Sequence, residues 1–289
     1  MNYFFHILIM INIYMILALS LNIPVGYTGL LSLSHASFYG VGAYISTLLM
    51  MKLGIGFIPS LLFSIFGSVL LGLVISIPSL RLKGDYFMLS TLAFQIVTFT
   101  ILYNWVSLTR GPYGIPGIPA PQFFGIIIDT IPSFLIFSSA VASICLYLLY
   151  ILGKSPFGRL LKAIREDELS AMSLGKNTVK FKITSFAISA GFAAIPGVLF
   201  AGYMTYIDPT SFTLEESIFI LSIIIIGGSG NFLGPVLGTI FMILLPEILR
   251  FLALPDSIIA NMRQIIYGFL IILLLRFRPQ GIKGEYKFQ

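Results

Sequence analysis

Charge is what this sequence lacks most. Only 10% of its 289 residues are Asp, Glu, Lys or Arg, and 57% are hydrophobic. A soluble globular domain carries about 25% charged residues, so this chain has too few of them to cover a soluble surface. We therefore expect most of its surface to face lipid, and we predict an all-α polytopic membrane protein.

Several chemistries lack the residues they need. The single cysteine, Cys145, lies in an apolar run, so no intrachain disulfide can form. The only histidines, His6 and His35, have no Cys or carboxylate at metal-ligand spacing, so no metal site is expected. We find no nucleophile, metal or acid pair, expect no catalytic residues, and predict that the chain is not an enzyme by itself. The net charge of +6 comes without a basic stripe interleaved with aromatics, so no nucleic-acid partner is expected.

An energy source is also absent from the sequence. Gly153-Lys154-Ser155 resembles the end of a phosphate-binding loop, but Leu148 stands where that loop requires a glycine. We therefore expect no ATP binding by this motif. No series of acidic residues runs through the apolar stretches, which weighs against a proton- or sodium-driven carrier. The pattern is typical of a transporter that takes its energy from another subunit.

Nine apolar runs approach the roughly 20 residues that a helix needs to cross a bilayer. They predict about nine transmembrane helices within a single transmembrane domain, 1–289, and the seventh is short enough to be a re-entrant half-helix. Between the fourth and fifth runs, residues 106–130 are predicted to form an extracytoplasmic loop, and its Gly- and Pro-rich stretch 109–122 is predicted to contain no helix. The nine runs are residues 3–22, 29–51, 57–80, 86–105, 131–153, 183–206, 214–230, 232–251 and 259–277.

One long polar segment interrupts these runs. Residues 154–182 hold ten of the chain's 28 charged residues, and such a density cannot lie in hydrocarbon. Ser155-Pro156 is a good helix start, Asp167 can cap a second short helix, and Gly175 can end it. We interpret 153–182 as a cytoplasmic segment that docks a subunit supplying energy. The alternative is a solvated interfacial helix without a partner.

The apolar positions of this segment predict how it lies on the membrane. Phe157, Leu161 and Ile164 fall on one helical face, and Leu169 and Met172 are expected to continue that face on the second helix.

Basic residues predict the orientation. If the polar segment is cytoplasmic, alternation of the nine runs places thirteen of the seventeen Lys and Arg residues inside. The C-terminus is then cytoplasmic and the N-terminus extracytoplasmic. The four cations left outside are Lys52, Arg110, Arg250 and Arg263.

Small residues break two apolar runs, one in each half of the chain. They are residues 26–44 and 227–238. Paired Gly-broken spans indicate a substrate path in transporters, whereas glycines can also simply allow close helix packing. The polar residues of the first break favour the path, because polar groups at membrane depth need partners or water. Within it, His35 either touches substrate, relays protons or bonds a neighbouring backbone carbonyl.

The blocks GYTGLLSLSHASFYGVGAY, RLKGDYFMLSTLAF, GRLLKAIREDELSAMSLGKN, GGSGNFLGPVLG and RQIIYGFLIILLLRFRPQGI occur in this order along nearly the whole chain. They resemble the LivM-type permeases of bacterial and archaeal branched-chain amino acid ABC importers. The resemblance implies the ABC-importer membrane fold related to vitamin B12 and ribose permeases. It also implies a cell-membrane location and leucine, isoleucine or valine as substrate. The implied partners are membrane lipid, a second homologous permease, two cytoplasmic ATPase subunits that bind ATP and Mg, and an extracytoplasmic binding protein; no cofactor is expected on this chain.

The resemblance also implies site residues. The block 163–175 is similar to the family's coupling-helix segment, although its glutamate is displaced to Glu168. The expected ATPase-coupling residues are Arg159, Arg165, Glu166, Asp167, Glu168, Ala171 and Gly175. The expected translocation-path residues are Ser32, Ser34, His35, Tyr39, Gly228 and Asn231.

Two other functions remain open. Urea permeases of this superfamily have similar blocks, so urea or a short amide is an alternative cargo, and a self-contained secondary carrier is a rival of another class. Family members usually carry one more span before the counterpart of residues 2–21. We therefore expect either that a peripheral first span has been lost or that the start is assigned too far downstream.

Overall fold

A computed structural model of the protein describes residues 2–82, 84–123, 126–250, 265–266, 268–269, 272–273, 276 and 280–283. The described chain is almost entirely helical, which agrees with the low charge and long apolar runs. Its α-helices are α1 (Asn2–Asn22), α2 (His35–Leu53), α3 (Phe57–Ser79), α4 (Asp85–Asn104), α5 (Val106–Thr109), α6 (Ile131–Lys154), α7 (Pro156–Glu166), α8 (Glu168–Ser173), α9 (Thr178–Met204), α10 (Leu214–Gly227) and α11 (Leu233–Arg250).

Six helices of the described part, some with an adjoining turn, are long and apolar enough to cross a membrane. They are α1, α3, α4, α6, α9 and α10, so the chain is a polytopic helical membrane protein. The predicted count of nine stays a prediction, because the ninth run, 259–277, lies largely outside the described residues. α10 has 14 residues and spans about 21 Å, which fits the short seventh run.

Two of the predicted runs begin at the wrong residue. The second, 29–51, is helical only from His35, because residues 29–34 adopt no regular helix. The preceding helix α1 instead continues through a π-helical turn, Ile23–Tyr27. The sixth run begins earlier than predicted, at Thr178, because the Asn177 side chain caps α9 by accepting a hydrogen bond from the Lys180 amide.

Helix α9 lies at the centre and packs against α1, α2 and α3. Small residues bring α2 and α9 into backbone contact: a methyl group added at Gly197 would overlap the Tyr39 carbonyl, and one at Gly42 would overlap Ala194. Close contact of this kind is typical of helix association in membranes. On α3, the side chains of Leu62, Phe63 and Phe66 are exposed, as expected for a surface that faces lipid.

The two non-cytoplasmic loops of the predicted topology lie side by side. Strand β1 (Ile115–Pro116) pairs antiparallel with β4 (Tyr206–Ile207), with Ile115 opposite Ile207. A second hairpin joins β2 (Gln122–Phe123) to β3 (Ile126–Ile127). The prediction that 109–122 contains no helix is wrong near its start, because a 3₁₀ turn, Gly111–Tyr113, follows α5 and precedes the strands.

Candidate functional site

The polar segment 153–182, called the coupling segment below, folds into two short helices as its sequence predicts. Ser155 caps α7 by accepting a hydrogen bond from the Gly158 amide. Asp167 caps α8 by accepting from the amides of Leu169 and Ser170 at 2.9 and 3.1 Å. Gly175 ends the second helix in the left-handed conformation, with φ of 74°.

The expected continuous apolar face is wrong. Leu161 and Ile164 of α7 are buried, but Leu169 is 72% exposed and Met172 also lies at the surface. The chain is extended at Asp167, with φ of −153°, and this residue redirects α8 relative to α7. The coupling segment therefore presents apolar side chains outward, and Leu174 at the end of α8 is also exposed, by 79%.

Charged residues of the segment bond mainly to close neighbours. The Arg159 guanidinium donates to the Lys154 carbonyl at 3.1 Å. Glu168 pairs with Lys182 at 2.7 Å. The hydrogen bond from the Ser170 hydroxyl, and then those from the backbone, hold the pKa of the Asp167 carboxyl below its ordinary value. Among the predicted coupling residues, Ala171 and the side chain of Arg165 are buried and the others lie at or near the surface.

Arg165 differs from the other predicted coupling residues because it forms a hydrogen bond with a residue that is distant in the sequence. Its Nη1 donates to the Gly26 carbonyl of the π turn at 2.5 Å. Its Nε and Nη2 donate to Glu166 Oε1 at 3.0 and 2.5 Å. The Arg165 side chain is 6% exposed and that of Glu166 is 67% exposed, so one end of this pair is accessible and the other is not.

Buried hydrogen bonds hold the first break. The hydroxyls of Ser32 and Ser34 lie 3.1 Å apart. The Leu33 amide donates to the Thr91 hydroxyl of α4, and the Ala36 amide donates to the Ser217 hydroxyl of α10. Side chains of neighbouring helices therefore satisfy backbone groups that the missing helical turn would leave unbonded.

Gln95 of α4 joins four elements, and the sequence analysis did not identify it. Its Oε1 accepts from the Ser37 amide at 2.8 Å, the Ser37 hydroxyl at 2.7 Å and the Ser217 hydroxyl at 3.3 Å. Its Nε2 donates to the Phe212 carbonyl in a second 3₁₀ turn, Pro209–Phe212, at 2.9 Å; this turn is called the outer turn below. An isolated amide in an apolar run is the signal that could have found it, because such groups need protein partners.

His35 bonds a backbone carbonyl, which was one of its three predicted roles. Its Nε2 donates to the Leu17 carbonyl at 3.1 Å and lies 2.9 Å from the Ser20 hydroxyl. His35 and Tyr39 are each 1% exposed, and Tyr39 packs edge-on against Phe212. The assignment of these residues to a translocation path stays a prediction.

The second break joins the first through Asn22. The Asn22 Nδ2 donates to the Asn231 carbonyl at 2.8 Å, and its Oδ1 accepts from the Gly230 amide at 3.1 Å. Gly228 ends α10 with φ of 100°, and the Asn231 Oδ1 accepts from the Gly234 amide at 2.7 Å at the start of α11. A methyl group added at Gly26 would overlap the Gly230 amide, so the two predicted breaks touch each other. Asn22 was not among the predicted site residues.

Within the described ranges, no group of three or more His, Cys, Asp or Glu residues is arranged to hold a metal ion.

Comparison with known proteins decides the family. Residues 3–275 match the branched-chain amino acid transport system / permease component family. The chain belongs to this family. It is 35% identical to the high-affinity branched-chain amino acid transport system permease protein LivM of Salmonella typhimurium, over 94% of this chain and 68% of that protein. The Escherichia coli protein of the same name is also 35% identical, over 93% and 67%.

An archaeal relative matches more of its own length. The probable branched-chain amino acid transport permease protein LivM of Methanocaldococcus jannaschii is 27% identical over 96% of this chain and 92% of that protein. No solved structure matches the chain. The predicted family resemblance is confirmed, and the chain is a multi-pass membrane permease.

Proposed function

We propose that this chain is the membrane-spanning permease subunit of an ATP-driven importer for branched-chain amino acids. The observation that carries the proposal is the exposed apolar surface of the coupling segment, in a chain whose relatives are transport permeases. Leu169, Met172 and Leu174 lie outside every membrane-capable helix, among charged residues, and project away from the protein. Exposed apolar clusters rimmed by charge mark protein interaction sites.

The partner at this surface is an ATPase subunit. The described residues contain no buried carboxylate series that could couple import to an ion gradient, and we propose that ATP and Mg bind to partners and that this chain carries no catalytic residues. The positive-inside bias supports a cytoplasmic coupling segment, with the N-terminus outside and the C-terminus inside. The remaining proposed partners are a second homologous permease and an extracytoplasmic binding protein.

The proposed docking site for the binding protein is the outer surface formed by two loops. The amides of Gly117 and Ile118 both donate to the Thr205 carbonyl, at 3.0 and 3.1 Å, and β1 pairs with β4. The loop that follows β4 is tied to the transmembrane helices because Gln95 bonds the Phe212 carbonyl. Docking at this surface can therefore act on α2, α4 and α10 together.

For the path itself, we propose that the first break shapes the route beside it. Ser32, Ser34 and His35 are buried and hydrogen-bonded within the protein. These bonds can fix the shape of the first break beside an apolar path, and such a path suits the aliphatic side chains of the substrate. Helix ends or hydroxyls would bind the zwitterionic groups of the substrate.

Replacing residues 156–175 by a Gly-Ser linker tests the docking proposal. The variant should insert into the membrane but lose co-purification of the ATPase subunits and all uptake. If the ATPase subunits still co-purify and uptake persists, the docking proposal is wrong. Uptake by the chain alone, driven by an ion gradient and insensitive to ATP, would instead identify a secondary carrier.

The cargo needs a separate experiment. Titration of the cognate binding protein with leucine and with urea, followed by uptake in proteoliposomes, should show saturation with leucine alone. Saturation with urea alone would contradict the proposed amino acid cargo and leave the ATP-driven mechanism standing.

A further inference from the structure

Three segments that lack regular α-helix meet at the end of the helix bundle that carries the coupling segment. They are the π turn Ile23–Tyr27, the irregular residues 228–232 of the second break, and the tail residues 281–283. Hydrogen bonds link α7 to the π turn, Asn22 before that turn to the second break, and Asn231 of the second break to the tail. We call this meeting point the inner junction.

The first link of the inner junction is Arg165. A guanidinium has five N–H donors in a rigid fork, so it can bond two acceptors at once. Here one side of the fork binds the Gly26 carbonyl, 139 positions away, and the other side binds the exposed carboxylate of Glu166. A partner that draws Glu166 away, or binds it with its own cation, changes the position of Arg165 and with it the contact to the π turn.

The backbone of the π turn can pass a movement of Arg165 on to the first break. Within it, the carbonyls of Pro24 and Val25 accept from the amides of Leu30 and Gly29 at 2.9 and 3.2 Å, so these bonds hold the start of the first break. A π turn inside a helix is a local departure from α geometry that is frequent at functional sites. A small shift of the Gly26 carbonyl therefore acts on the irregular residues 28–34 that precede His35.

The second link is Asn22, one helical turn before Gly26. Both polar atoms of its amide are used on the second break, through the Asn231 carbonyl and the Gly230 amide. Asn22 is 1% exposed, and a methyl group added at Gly26 would overlap the Asn22 side chain. Because Gly26 and the Asn22 side chain are in close contact, movement of the π turn also moves Asn22. The hydrogen bonds of Asn22 then transmit this movement to the loop between α10 and α11.

The tail closes the inner junction. The amides of Ile282 and Lys283 donate to the carbonyls of Ile226 and Gly227 at 2.9 and 3.0 Å, and the Asn231 side-chain amide donates to the Lys283 carbonyl. The tail thus bonds the end of α10, and Asn22 bonds the loop that follows it. The position of this loop depends on Asn22 on one side and on the tail on the other.

We propose that Arg165 and Asn22 are positioning residues that transmit movement of the coupling segment to both helix breaks. This inference rests on the proposed function, because it assumes that an ATPase subunit moves the coupling segment. Arg165 acts on the side of the segment that faces the membrane helices, whereas Leu169, Met172 and Leu174 form the side that faces the partner. The two sides of one segment therefore have separate tasks, recruitment and transmission.

The test is the ratio of leucine imported to ATP hydrolysed, measured in proteoliposomes that contain the complete complex with its binding protein. In R165Q the ATPase subunits should remain bound and hydrolysis should continue, while the ratio falls at least about fivefold, the lower end of usual coupling between sites. R165K keeps the charge but has one donor group, so its ratio should lie between those of R165Q and the unchanged protein.

Asn22→Leu provides an independent variant, because the Asn22 amide bonds the second break rather than the coupling segment and leucine keeps its branched shape. Its ratio should fall as in R165Q with ATPase recruitment unchanged. The matched control is Arg81→Gln, which removes an exposed arginine from the same predicted side of the membrane without touching the inner junction. Its ratio should remain that of the unchanged protein.

The outcomes separate the two proposals. Unchanged ratios in both R165Q and N22L overturn the transmission role and leave the permease function intact. If R165Q does not assemble, N22L decides. If the unchanged chain recruits no ATPase subunit, the proposed function itself fails.

Discussion

Apart from Arg165, which also contacts Gly26, the charged residues of the coupling segment bond mostly to other residues of that segment: Asp167 to Ser170, Arg159 to Lys154 and Glu168 to Lys182. The polar groups around Gln95 bond across 58 to 122 positions and are buried. Water can replace a lost bond in the first region but not in the second. The first region is therefore free to change partners, whereas the second holds α2, α4, α10 and the outer turn in one arrangement.

Gln95→Leu should give the largest effect, because it removes the partner of four polar contacts in the buried region. Bonds of this kind contribute about 0.6 kcal/mol each in membrane proteins, so the free energy of unfolding should fall by about 2–3 kcal/mol. Unfolding in bicelles measures it. Thr100→Val is the control, since that hydroxyl lies on the exposed side of α4 and bonds only the Ile96 carbonyl. Equal losses in the free energy of unfolding of the two variants would contradict the claim that the buried bonds around Gln95 stabilise the protein more than exposed ones.

Leu174→Asp should show the opposite behaviour. A leucine buried against a partner contributes about 1.5–3 kcal/mol, so affinity for the ATPase subunits should fall about tenfold or more. The free energy of unfolding should stay unchanged because Leu174 is exposed in the chain. Binding of detergent-solubilised chain to the ATPase subunits measures this, with Leu174→Met as the apolar control. A loss of stability without a loss of binding would contradict the recruitment role.

His35→Leu tests whether the buried hydrogen bonds of the first break stabilise the fold in the same way as those around Gln95. Loss of its bonds to Leu17 and Ser20 should lower the free energy of unfolding by about 1 kcal/mol. The KM for leucine uptake should not change, whereas a direct substrate contact would raise it. His35→Gln, which keeps a donor, should recover most of the stability.

Asp167→Ala should give the smallest effect, confined to α8. The amides of Leu169 and Ser170 should exchange hydrogen faster because they lose their acceptor. The pKa of Asp167 lies below its ordinary value, so its cap is complete at neutral pH. That protection is lost as pH falls through the lowered folded-state pKa.

Asp167→Asn is the control for this pH dependence. It should retain most of the protection and show none of the pH dependence, and a pH dependence that persists in it would assign the effect to another group.

Local features of the sequence predicted the helices and their caps well. The ends of α3, α4 and α6 lie within one residue of the apolar runs, because hydropathy over 20 residues already decides what can cross a bilayer. Ser155, Asp167 and Gly175 act as predicted, because capping depends on neighbours within three residues. The order of blocks along the chain was sufficient to indicate the family.

The sequence did not predict which polar groups meet. Leu169 and Met172 turn outward because one extended residue, Asp167, redirects the second helix, and helical periodicity does not extend across such a residue. Gln95 and Asn22 were missed because their partners lie in other helices.

What the sequence by itself determined is a polytopic helical permease with a capped, charged segment, since burial in lipid and helix capping are local requirements. The tertiary structure alone decided that Arg165 contacts Gly26 and that Asn22 joins the two breaks. Those contacts depend on how α1, α7 and α10 approach one another, and that packing is fixed by the shapes of all the helices together.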